Sequence, residues 1–213
     1  MLEKEARVQR EPGDAQAWYE LGVRQQESER EQKAIQALSR AVEIDPSLLP
    51  AWMALAVSHC NEGRRDAACN AIEHWVAKRL GRKPQPLSSF SSGSRAASPE
   101  QHERLVEDLL TIVRSSGADT VDADVQIALA VLFHTTEEYD KALDCFRTAL
   151  AVRPTDALLY NRVGATLANS GRSEEALGYY ARALELAPAY VRAEFNTGIA
   201  LINLSVRLDL LAF

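Results

Sequence analysis

One spaced pattern constrains this chain more than any other feature, and it is written three times in full. The first copy is Gly22, Ala34, Leu38, Ala41 and Pro46. The second is Ala130, Ala142, Phe146, Ala149 and Pro154, and the third is Gly164, Ala176, Tyr180, Ala183 and Pro188. Pro154 and Pro188 lie 34 residues apart (188 − 154). A weaker copy runs through Trp52, Ala56, Ala68 and Ile72, and the string "WYELG" at 18–22 aligns with "YNRVG" at 160–164. Small residues at such places let two antiparallel helices cross closely, where a larger side chain would force them apart. The large apolar residue fills the groove between neighbours. Each Pro follows a helix that it cannot continue.

A helix-pair period of about 34 residues resembles the tetratricopeptide pattern. The fold expected is therefore all-α, a tetratricopeptide-repeat solenoid of antiparallel helix pairs with an irregular middle repeat. Helix pairs are expected at 15–28 with 31–44, 49–62 with 65–79, 123–135 with 139–152, and 157–170 with 173–186. Residues 2–10 read as the second helix of an earlier unit, and 191–204 as the first helix of a later one. This divides the chain into an N-terminal cluster at 1–80, an irregular repeat with a Ser/Pro-rich mobile loop at 81–121, and a C-terminal cluster at 122–213 whose last repeat is incomplete. The loop, 81–100, is rich in Ser, Pro and Gly. After it, Ser98, Pro99 and Gln101 fit a capping box, with Gln101 reaching back to the helix start. Leu105, Leu109 and Ile112, flanked by Val106, Leu110 and Val113, give that helix one buried stripe.

Side-chain amides recur on this framework. Numbered from three residues before the Trp or Tyr, Asn61, Asn169 and Asn203 all fall at the thirteenth place, near the end of a first helix. The other units hold Glu27 and Thr135 there. First helices line the concave face of such solenoids, which is their binding surface. Asn at a helix end also caps turns, so position alone leaves both roles open. The companions sharpen the reading. Asn161 and Arg162 precede Asn169 on one helix, and Arg192 and Asn196 precede Asn203 on another. Spacings of seven and eight residues put each amide pair on one face. An amide offers both donor and acceptor, so a row of them can pair with the backbone of an extended peptide whatever its sequence. A guanidinium beside the row suits a carboxylate.

The segments "ALAVSHCNE", "DVQIALAVLF", "EEYDKALDCF", "ALAVRPTDALLYNRVGATLAN", "SEEALGYYARALELAP" and "YVRAEFNTGIALIN" closely resemble the peroxisomal targeting signal receptor family. The resemblance runs from about residue 14 to 204. It implies a cytosolic receptor that cycles to the peroxisomal membrane, meets docking proteins there, and binds cargo proteins by C-terminal Ser-Lys-Leu-type peptides. In that family the peptide lies in the channel between two repeat clusters, its backbone and terminal carboxylate held by asparagines. The matching residues here are Asn61, Asn161, Asn169, Asn196 and Asn203, with Arg192 beside them. Arg162 stands where the family often has Lys, which keeps the charge and changes the hydrogen-bond geometry. Val57 and Cys60 are expected to line the pocket near Asn61, and Ala165 to leave room for the terminal Leu. The family's N-terminal docking region and ubiquitinated cysteine have no match. After Asn203 the string "LSVRLDLLAF" replaces the family's next helix, so a truncated product is expected, with Leu208, Leu210, Leu211 and Phe213 exposed or folded back as a cap.

Other classes fit less well. A co-chaperone clamp needs Lys and Asn at the fifth and ninth places of a first unit, where Tyr19 and Val23 stand. A generic interaction scaffold is the bland alternative. No nucleophile elbow, zinc-protease motif or phosphate loop argues for an enzyme, and no cofactor is expected. His59 with Cys60 reads as core packing rather than a metal pair. A formal net charge of −6 argues against nucleic acid as a partner, and no apolar run is long enough for a transmembrane segment. Cys60, Cys69 and Cys145 read as reduced thiols.

Overall fold

Three helix starts are written in aspartate. Asp14, Asp122 and Asp156 each turn a carboxylate onto the first free amides of the following helix, accepting from Ala17, from Asp124 and Val125, and from Leu159. Such caps satisfy donors that have no intrahelical partner. The helix ends are as regular. Arg30 N–H reaches the Gln25 carbonyl, Arg64 that of His59, Glu138 that of Phe133 and Arg172 that of Leu167, all at 2.8–2.9 Å. This Schellman closure needs a left-handed residue just after the helix. Glu29, Gly63, Glu137 and Gly171 supply it, with φ of 58°, 68°, 62° and 80°.

The structure, a computed structural model, describes residues 1–83, 99–115 and 120–211, with side chains as far as 206. Eleven α-helices and no strand occur among the described residues: α1 (Leu2–Arg10), α2 (Ala15–Glu27), α3 (Glu31–Ile44), α4 (Leu49–Asn61), α5 (Arg65–Arg79), α6 (Pro99–Ser115), α7 (Ala123–Thr135), α8 (Tyr139–Val152), α9 (Ala157–Asn169), α10 (Ser173–Leu186) and α11 (Val191–Leu211). None is long and apolar enough to cross a membrane. The chain forms two compact units, Met1–Thr120 and Val121–Phe213.

In the first unit α2 pairs with α3 and α4 with α5, and the first helices α2 and α4 also touch. Ala34, Leu38 and Ala41 of α3 are fully buried, as are Ala56, Ala68 and Ile72. The Gly22 site explains the small residue in the pattern: a Cβ there would lie 2.6 Å from Leu38 Cγ. The repeated Trp has its own reason. Trp18 and Trp52 donate their indole N–H to the carbonyls of Pro12 and Pro46, each at 3.0 Å, which ties each helix pair to the turn before it. Helix α1 docks through Val8 against Ala17, Leu21 and Ala37. Helix α6 packs on α5 and buries Leu105, Leu109 and Ile112 as its spacing predicts. The expected capping box of Ser98 and Gln101 rests on Ser98, which lies outside the described residues, so only the other contacts of Gln101 are seen. Its amide turns to α5 and donates to Asn70 Oδ1 at 3.0 Å and Glu73 Oε2 at 2.9 Å. Ser98 and most of the 81–100 loop lie outside the described residues.

The second unit repeats the scheme with α7 on α8 and α9 on α10. Phe146 and Tyr180 take the place of Leu38, flanked by the buried Ala142, Ala149, Ala176 and Ala183. Helix α11 packs on α10 and touches α9. It was expected to stop near residue 204, and it runs to Leu211 instead. No Gly or Pro follows Asn203, and Leu, Val and Arg continue a helix readily. Asn203 is therefore inside a helix rather than at its end. The side chains of Leu208, Leu210, Leu211 and Phe213 lie outside the described residues.

Candidate functional site

The second unit holds seven of the ten candidate residues: Asn161, Arg162, Ala165 and Asn169 on α9, and Arg192, Asn196 and Asn203 on α11. Two of the amides meet directly. Asn196 Nδ2 donates to Asn161 Oδ1 at 2.9 Å. Asn161 is only 4% exposed, so its amide is part of the α9–α11 seam rather than an open rung. The bond satisfies one acceptor and one donor. Each amide keeps further hydrogen-bonding capacity, since the group has two N–H bonds and two lone pairs. Asn169 ends α9 and is exposed. Its Nδ2 lies 3.1 Å from His134 Nε2 on α7. Arg162, Ala165, Arg192 and Asn196 are half-buried, and Asn203 is exposed on α11.

The first unit holds Val57, Cys60 and Asn61, all near the end of α4. Asn61 is exposed and donates to Glu31 Oε2 at 3.4 Å. Val57 is 8% exposed, so it belongs mainly to the core, and Cys60 is half-buried and not in a disulfide. The same thirteenth place therefore has different neighbours in each repeat: a carboxylate for Asn61 and an imidazole for Asn169.

Two polar groups of the first-helix faces escaped the sequence reading. His134 is one. Burial lowers its pKa below the ordinary 6.5 and holds the ring neutral, and its ring meets Tyr139 edge-on at 5.4 Å. Gln26 is the other. It is buried and donates to the Ala54 carbonyl at 2.8 Å and to Ser58 Oγ at 2.6 Å, locking α2 to α4. A signal for the first existed. Asn161–Asn196 and His134–Asn169 are both 35 residues apart, one more than the repeat. Residues so spaced face each other across successive first helices. His59, beside Cys60, is also held neutral: burial lowers its pKa to about 4, and Arg64 adds to the effect. Among the described residues no three His, Cys, Asp or Glu side chains gather closely enough to hold a metal ion.

The tetratricopeptide repeat model matches residues 2–48 and 127–191. A protein of Yarrowia lipolytica named peroxisomal targeting signal receptor is 46% identical over 206 residues, which is 94% of this chain and 34% of that protein. A protein of the same name from Candida albicans is 40% identical over 205 residues, again 94% of this chain and 34% of the relative. The chain thus spans about a third of the length of these relatives. Among solved structures, a tetratricopeptide protein of Thermus thermophilus, TTC0263, superposes with a TM-score of 0.49 at 19% identity, covering 89% of this chain and 100% of its own.

Proposed function

Because the chain belongs to the tetratricopeptide repeat family, we propose that it binds the C-terminal type-1 peroxisomal targeting signal of cargo proteins for import into the peroxisomal matrix. The observation that carries this reading is the Asn196–Asn161 amide pair across α9 and α11. It occurs in a chain aligned over 94% of its length with proteins named for that receptor function. The chemistry is recognition without catalysis. Asn169 and Asn203 stand exposed on the two helices joined by the Asn161–Asn196 pair, where they can exchange N–H and C=O bonds with an extended peptide. The side chains of Arg162 and Arg192 supply the charge for a terminal carboxylate. Ala165 leaves room for a terminal Leu side chain. Cycling from the cytosol to docking proteins of the peroxisomal membrane belongs to the same proposal and rests on the names of the relatives.

Fluorescence anisotropy with a labelled peptide ending in Ser-Lys-Leu tests it. A hydrogen bond to a charged group contributes about 1.5–3 kcal/mol, so amidating the carboxylate lowers affinity by roughly 10- to 100-fold. Asn169→Ala lowers it by about fivefold, from one neutral hydrogen bond of about 1 kcal/mol. Equal affinity for the free and amidated peptides refutes the reading.

A further inference from the structure

The twelfth place of the first helices, one residue before the amide row, carries an amide or an imidazole in two repeats. In chain order it holds Gln26, Cys60, His134, Ala168 and Ile202. Gln26 and His134 each stand 35 residues before a thirteenth-place asparagine, Asn61 and Asn169. Within the second unit that spacing is a direct contact, His134 to Asn169. Within the first unit the twelfth place takes another route. Gln26 is 7% exposed and turns its amide onto α4, donating to the Ala54 carbonyl at 2.8 Å and to Ser58 Oγ at 2.6 Å. Ala54, Ser58 and Asn61 follow one another at intervals of four and three residues, so they lie along one line of α4. The two bonds hold the line of the helix that ends in Asn61.

We propose that Gln26 is a positioning residue for Asn61, and so for the peptide contact assigned to that amide. From Ala51 to Val57 the buried side chains of α4 are apolar apart from the indole of Trp52, which is tied to the Pro46 turn at the start of the helix. Apolar burial has no preferred direction, whereas a pair of hydrogen bonds has one. Gln26 therefore fixes how α4 is rotated against α2. A side-chain amide lies about 5 Å from its helix axis, so a rotation of about 10° moves it by about 1 Å, more than hydrogen-bond geometry tolerates. The bond from Asn61 to Glu31 Oε2, at 3.4 Å on an exposed side chain, is too long to hold the amide in place by itself. Being buried, Gln26 acts on the peptide only through α4.

Gln26→Met tests this, since it keeps the length and packing of the side chain and removes the donor. The first readout is the proton–nitrogen correlation spectrum of the full chain without peptide. Asn61→Ala and Asn169→Ala identify the side-chain amide peaks of those residues by their loss. Gln26→Met is expected to shift or broaden the Asn61 peaks and to leave those of Asn169, in the other unit, in place. Ser58→Ala removes one of the two acceptors and is expected to move the Asn61 peaks less. Unmoved Asn61 peaks in a Gln26→Met protein with parental helical circular dichroism overturn the proposal; should that variant unfold, the Ser58→Ala spectrum decides by the same criterion. The second readout is affinity for the labelled peptide ending in Ser-Lys-Leu. Asn61→Ala lowers it about fivefold, the worth of one neutral hydrogen bond, Gln26→Met by up to as much, and the double variant by little more than Asn61→Ala alone. A general loosening of the fold would lower affinity again in the double variant, so additive losses overturn the positioning role. A parent protein that does not bind the peptide refutes the receptor reading instead, and the spectrum alone then decides whether Gln26 places Asn61.

Discussion

Gly164→Ala tests the packing logic on which the repeat reading depends. Alanine is the better helix former, and in a free helix the change stabilises by about 1 kcal/mol. Here the added methyl would lie 2.5 Å from Cε1, 2.7 Å from Cδ1 and about 3.0 Å from Cζ of Tyr180. These are ring atoms, and Tyr180 is only 1% exposed. It has no open side to swing toward. Either α9 and α10 separate or the ring leaves its rotamer, and such overpacking costs about 1–3 kcal/mol. Set against the propensity gain, this leaves a net destabilisation of up to about 2 kcal/mol. Gly178 provides the control. It sits within α10, is exposed, and an added Cβ meets nothing within 4 Å. Gly178→Ala shows the propensity term alone. In a chain of this size 1 kcal/mol moves Tm by about 2–4 °C. Thermal unfolding followed by circular dichroism should place the Gly178→Ala midpoint above the parent and the Gly164→Ala midpoint below it. A Gly164→Ala protein as stable as the Gly178→Ala protein refutes the close-crossing argument.

Two other perturbations follow from the same structure. Glu137→Gly relieves a left-handed backbone that a side chain opposes by about 1–2 kcal/mol, so chemical denaturation should show a gain of about 1 kcal/mol with an unchanged m-value. His59 is neutral in the fold with a pKa of about 4, against 6.5 in the free chain, so the unfolded state takes up the proton first as pH falls. Stability is therefore full above pH 6.5 and declines between 6.5 and about 4. His59→Gln should flatten that decline in unfolding curves taken across the interval, leaving a smaller slope from His134, whose pKa is lowered in the same direction.

The framework was legible in the sequence because each repeat states its own packing. Gly22 with Leu38, and Gly164 with Tyr180, are contacts inside one helix pair, and their spacing of sixteen residues is visible without a structure. Side-chain surroundings were less legible because they are set between repeats. Asn161 shares a helix with Asn169, which suggested two open rungs. Yet Asn196 arrives from the next first helix and closes one of them. The end of α11 is a different case. A first helix as long as α9 would end at Asn203, but a helix stops where a breaker stands, and none stands between Asn203 and Leu211.

The Asn169–His134 contact shows how such a neighbour sets function, and it yields a prediction that the amide row alone would not. An amide nitrogen only donates, so His134 Nε2 accepts and the ring proton sits on Nδ1. An imidazolium has no lone pair, so the contact exists only while the ring is neutral. Burial holds it so by lowering the pKa below 6.5. Peptide affinity should therefore be flat from pH 7.5 to 6.5 and fall only at lower pH. If His134 acts by orienting the Asn169 amide, His134→Ala lowers affinity about as much as Asn169→Ala. The double variant then loses little more than either single one, because the two residues act through one hydrogen bond. Additive losses in that cycle, measured by anisotropy at pH 7.5, would show that the two side chains contribute independently and that the contact does not position the amide.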